Sequence, residues 1–161
     1  MGQESDTGTT RTAVRTGETG SRVPAAAAGA GVARVVHGGE RYQGKQGLDY
    51  TPGVSAETLG ARALWLGAVT IPPGGRTRAH IHEHHESAFY LVSGDAVELW
   101  SGERLQHQEV ACTGDYLYIP AGVPHVAVNR SQVPAFLVGA RTDANEQESV
   151  VMMPDLDARV P

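Results

Sequence analysis

The sequence predicts an all-β fold, and three observations predict it. Short apolar runs recur at roughly 8 to 12 residue intervals. Turn-forming residues separate them, with 20 glycines and 9 prolines in 161 residues. No stretch carries sustained helical periodicity. Many short strands joined by tight turns are the pattern of a sandwich or a small barrel.

The elements follow in order. Residues 1–31 are rich in Gly, Thr, Ser and Ala with almost nothing large to bury. Such a stretch cannot offset its ordering entropy and is predicted to be a disordered or partner-draped arm. Residues 32–161 form the domain, long enough to bury a single core. VARVV (32–36) reads as the first strand. RALWLGAVTI (62–71) is a longer one, stopped by PPGG at 72–75. AFYLVSG (88–94) and AVELW (96–100) flank Gly94-Asp95, which reads as a tight hairpin turn. YLYIP (116–120), HVAVN (125–129) and AFLVGAR (135–141) are three further strands. NEQESVVMM (145–153) suits either a short helix or a last strand, and RTDANEQES (141–149) is either a cap on the barrel mouth or, in preference, a solvated terminus. There is no internal repeat.

A hydrophobic content of 40%, a charged content of 19% and a net charge of −5 describe a globular protein suited to a small-molecule substrate. No basic stripe interleaved with aromatics is present, which argues against a nucleic-acid partner. No run reaches the roughly 18 apolar residues of a membrane span. PAAAAGAG (24–31) is too short and weakly apolar for a signal segment, so a cytoplasmic location is expected. The single cysteine, Cys112, is expected to be a small core hydrophobe.

HIHEHHES (80–87) holds four of the seven histidines. Alternate residues of a strand point the same way, which puts His80 and His82 on one face about 7 Å apart. Glu86 follows His82 by enough chain to turn and return a carboxylate to the same point. Two nitrogens and an oxygen form a set that divalent transition metals favour. His125 lies far downstream between Pro124 and Val126, where a lone histidine is more often a core residue than a ligand.

Read together, the two segments resemble the cupin family. GGRTRAHIHEHHE matches its first motif with Gly74, His80, His82 and Glu86. GDYLYIPAGVPHVAVN matches its second with Gly114, Pro120, Gly122, His125 and Asn129. The resemblance covers residues 74–129 and implies a jelly-roll β-barrel. It also implies one divalent transition metal per chain (Zn, Fe, Mn, Ni or Cu) held by His80, His82, Glu86 and His125. One departure stands out: the family leaves six residues between the motif-one Glu and the next glycine, and here Glu86 and Gly94 are separated by seven. Counting back in the family spacing puts Ser87 at the carboxylate position. A one-residue slip turns Glu86 to the opposite face unless a bulge restores it. His84 or His85 would then complete an all-histidine site, favouring zinc or copper over iron.

Around the motifs, Tyr90, Trp100, Tyr116 and Tyr118 are either core packing or cavity lining, and alternation sets Tyr116 and Tyr118 against Leu117 and Ile119. Arg78 is placed either to clamp a substrate carboxylate or on a solvated edge; His37 and His107 are expected to be exposed. The resemblance implies a metal-dependent enzyme acting on a small polar metabolite by Lewis-acid or oxygen-activating chemistry: dioxygenase, isomerase, lyase or natural-product-forming. The alternative is a non-catalytic module that binds a metal and a metabolite. By the same resemblance the chain is expected to be a homodimer, with the stretch around residues 32–60 contributing.

Overall fold

A computed structural model describes residues 32–146 and 149–161. The arm expected over residues 1–31 lies outside the described residues. In chain order the elements are β1 (Tyr42–Gln43), β2 (Asp49–Val54), a one-turn helix α1 (Ala56–Leu59), β3 (Trp65–Ile71), β4 (His80–His82) and β5 (Ser87–Ser93). They continue with β6 (Ala96–Ser101), β7 (His107–Cys112), β8 (Tyr116–Ile119), β9 (His125–Val128), β10 (Ala135–Arg141), β11 (Val150–Met152) and a 3-10 turn at Pro154–Arg159. The strands form two antiparallel sheets, ordered β1-β2-β3-β10-β5-β8 and β11-β4-β9-β6-β7. This is the all-β jelly roll that the sequence predicts.

Alternation decides what each strand buries. In β3 Trp65, Val69 and Ile71 point inward while Leu66, Ala68 and Thr70 point out. β10 pairs with β3 along its whole length, and its Leu137 joins the same core with Leu91 and Leu117 from β5 and β8. Each such buried side chain contributes about 1.5–3 kcal/mol. At the centre of this sheet Gly139 faces Phe89 directly across the ladder. A Cβ there would approach Phe89 Cε1 to 2.5 Å, so glycine makes room for the ring. Beside it, the buried Arg141 stacks its guanidinium 4.2 Å above the Trp65 ring.

Four expectations are corrected. Residues 32–36 pair with no strand, and Val32 and Val35 are exposed. Gly94-Asp95 is no hairpin turn: β5 and β6 belong to different sheets, and the bend is a corner of the sandwich. Cys112 is exposed, because it ends β7, an edge strand that mostly faces solvent. Residues 141–149 are no solvated terminus over their described part; Arg141 and Ala144 are buried, and Ala144 O accepts from Ala56 N–H. Five elements go unpredicted: the short β1, α1 and 3-10 turn, and the longer β7 and β2, the last running through Pro52.

The outer face of the six-stranded sheet carries no charged side chain on β3, β5, β8 or β10; the one charged residue in those strands, Arg141, is buried. Leu66, Tyr90, Val92, Tyr116, Tyr118 and Phe136 are exposed there, with Tyr90 and Tyr116 in contact at 4.9 Å between ring centroids. Tyr116 and Tyr118 therefore face outward, and Leu117 and Ile119 line the interior. Trp100 is half-buried in the other sheet and donates its indole N–H to Glu98.

Candidate metal centre

His80 and His82 are the two inward-facing residues of β4, separated by the half-buried Ile81. β4 pairs with β9 at a single register point, His80 opposite His125. Strand pairing thus brings together two residues that are distant in sequence. The turn before β9 ties the motifs further: Gly122, at φ 74°, donates its N–H to His82 O at 2.7 Å. The three rings pack with centroids 5.2, 4.1 and 4.7 Å apart. One nitrogen from each lies within 4.8 Å of the others, and all three residues are buried, so the group could hold a metal ion.

The hydrogen bonds decide which nitrogen faces the group. His80 Nδ1 lies 2.7 Å from Arg78 O, and His125 Nδ1 lies 2.9 Å from Val123 O. A carbonyl only accepts, so both Nδ1 atoms carry the proton and each neutral ring keeps its lone pair on Nε2. His82 Nδ1 meets Ser87 Oγ at 2.9 Å, which holds the ring's orientation and is compatible with the same tautomer. Outer partners of this kind fix the tautomer and orientation of metal-ligating histidines. Electrostatics agrees. Burial pulls His80 down to about 4, and burial followed by the neighbouring His125 and His80 pulls His82 far below the ordinary imidazole range. Three neutral imidazoles converging on one point are the protonation state a cation requires.

The carboxylate expected in the group is elsewhere. Glu86 precedes β5 and is exposed; its Oε1 accepts from Tyr118 Oη at 2.9 Å, and its backbone N–H donates to Thr142 Oγ1. That contact raises the Tyr118 hydroxyl above its ordinary value. Ser87, not Glu86, opens β5 facing inward, as the seven-residue spacing signals. His84 is exposed beside Glu83. His85 is buried but packs flat on His82, centroids 4.6 Å apart, with Nδ1 at 3.0 Å from Ser149 Oγ and 3.9 Å from Asp143. Neither His84, His85 nor Glu86 belongs to the converging group among the described residues. The partners of His85 come from the 141–149 segment, which thus covers the histidine loop, the less favoured of the two readings of that segment. Arg78 is exposed and bonds Lys45 O, while Arg76 pairs with Asp157 at 3.0 Å, so neither clamps anything in the interior.

Linkage gives a first prediction. In the metal-free protein the unfolded chain takes up protons at His80 near pH 6.5, whereas the folded chain waits until about 4. Stability contributed by the neutral form is complete above pH 6.5 and is lost as pH falls toward 4, on the order of 3 kcal/mol for this residue. Urea midpoints should fall between pH 7 and pH 4.5; a flat profile would contradict the buried neutral state.

Residues 67–139 match the family model described as a cupin domain. Among curated proteins, the chain is 30% identical over 87 residues to the tetracenomycin polyketide synthase protein TcmJ of Streptomyces glaucescens. That alignment covers 53% of this chain and 54% of the relative, so the chain spans about half the length of the protein it matches. Solved structures agree in fold. Lactobacillus farciminis oxalate decarboxylase in a formate complex superposes with a TM-score of 0.59 at 18% identity, covering 76% of this chain and 36% of that one. Oxalate oxidase in complex with glycolate gives 0.57 at 21% identity, covering 68% and 57%. A Klebsiella pneumoniae protein with a double-stranded β-helix domain gives 0.53 at 18%, covering 71% and 87%. Both motifs and the matched segment identify residues 67–139 as a cupin domain, and the two-sheet topology is the fold of the solved structures it resembles.

Proposed function

We propose that the chain is a metal-dependent cupin enzyme whose His80, His82 and His125 hold one divalent transition metal through Nε2. The observation that carries this is the convergence of three buried rings, with the tautomers of His80 and His125 fixed by backbone carbonyls and His82 Nδ1 held by Ser87 Oγ. A metal bound there supplies a Lewis acid with open positions, or an oxygen-activating centre if it is redox-active iron. The protein's own part is to orient the imidazoles, keep them unprotonated and shield the site with buried walls. Among the candidate reactions, the likeness to a polyketide synthase protein favours a natural-product-forming role. The test incubates metal-loaded protein with a low-molecular-weight metabolite extract and follows consumption by mass spectrometry. The expected result is a feature consumed by wild type and spared by His82→Ala; no His82-dependent consumption would leave a binding module without turnover.

The homodimer is proposed through the outer face of β3, β5, β8 and β10, strands that carry no exposed charged side chain. Four strands about 4.8 Å apart span on the order of 400 Å², a size at which exposed apolar surface marks a contact. A two-fold-related copy offers the same face, so chains of net charge −5 meet across strands free of exposed charge, with Glu86 beside Tyr118 as the neighbouring carboxylate. Sedimentation velocity should give a dimer for wild type and a monomer for Tyr116→Glu; a monomeric wild type would refute it.

A further inference from the structure

Behind the three histidines lies an interior cavity of about 40 Å³, room for roughly three water molecules. Apart from the imidazoles its walls are apolar, formed chiefly by Val69, Ile71, Phe89, Leu99, Leu117 and Leu137. No charged side chain lines it. Its two other polar groups are engaged: Thr77 Oγ1 accepts from Ala127 N–H at 3.0 Å, and Tyr50 Oη accepts from Gln46 Nε2 at 2.6 Å.

A substrate with polar groups along its length would have to bury all but one of them against leucine, valine and phenylalanine. Burying an unpaired polar group costs at least a few kcal/mol, and an unpaired carboxylate far more. A methylene in the same place is stabilised instead. We infer that the site takes a small molecule with one metal-binding oxygen group, a carboxylate, enolate or phenolate, on an apolar body. This rests on the three-histidine metal reading and narrows the small polar metabolite of the sequence expectation to a molecule polar at one end only. Discrimination belongs to the cavity walls, since no arginine or lysine lines the cavity to read a second anionic group.

The test uses full-length wild-type protein loaded with Co(II), whose visible spectrum reports both metal uptake and ligand binding. Titration with formate, acetate, propionate and butyrate should show affinity rising about fourfold per added CH₂. Malonate, which replaces the terminal methyl of propionate with a second carboxylate, should bind at least tenfold more weakly than propionate. Co(II) uptake with affinities flat along the series, or with malonate equal to propionate, overturns the inference and leaves the metal centre standing. Failure to take up Co(II) overturns the metal reading, and this inference with it.

Discussion

Replacing His125 with alanine is expected to weaken metal binding by at least about a hundredfold, while Glu86→Ala leaves it unchanged. The contrast follows from geometry. His125 sits opposite His80 on the neighbouring strand, with its Nδ1 proton held by Val123 O and its lone pair turned toward the group. Without it two imidazoles remain. Glu86 is exposed and bonded to Tyr118 on the far side of the strand start. Ser87→Ala should fall between the two, at about tenfold, because it removes the hydroxyl that steadies His82 without removing a ligand. Elemental analysis after dialysis against a weak chelator gives all three values. Loss of metal from Glu86→Ala, with His125→Ala unaffected, would reverse the assignment.

Asn129→Ala is expected to destabilise the protein by about 3–5 kcal/mol without changing its metal content. Asn129 closes the second motif, yet nothing in its surroundings is catalytic. Fully buried, it directs Nδ2 to Ile71 O, Pro72 O and Val133 O at 2.8–3.2 Å, and its Oδ1 accepts from the N–H and Oγ of Ser131. One side chain thus joins the end of β3 to the loop leading into β10. Alanine takes the amide donor from Ile71 O and the acceptor from Ser131 N–H, while Pro72 O keeps Gly75 N–H and Val133 O keeps Ser131 Oγ; each orphaned group costs about 1–3 kcal/mol. Asn129→Asp should fare no better, since it replaces the donor with an acceptor. Urea denaturation reads the difference; a loss under about 1 kcal/mol would mean that water or backbone movement replaces these bonds.

What the sequence makes legible is what alternation and motif spacing encode. β3, β8, β9 and β10 are strands with one face in the core, and their period-2 pattern stands in the residues themselves. β7 escapes notice because HQEVAC is exposed along most of its length, leaving no apolar face to detect. β2 is hidden by Pro52 and Gly53, residues that locally read as a stop, although β3 pairs with the strand there. Conversely, VARVV has strand composition but no partner. Gly94-Asp95 shows the general limit: a local bend signal does not say whether the next strand pairs with the last one or crosses to the other sheet. At the site, the histidines were legible because the His-x-His of the first motif and the whole second motif are intact. The displacement of Glu86 was legible only as a spacing one residue too long, and which residue then faces inward is decided by the start of β5. The apolar walls of the cavity come from strands spread between Leu48 and Leu137, and no local pattern announces them.

Anomalous diffraction from crystals of zinc-loaded protein tests the centre most directly. The predicted result is one peak per chain, about 2.0–2.1 Å from Nε2 of His80, His82 and His125. A peak among Glu83, His84 and Glu86 instead, or none with zinc in excess, would show that the convergence of the three rings serves packing alone.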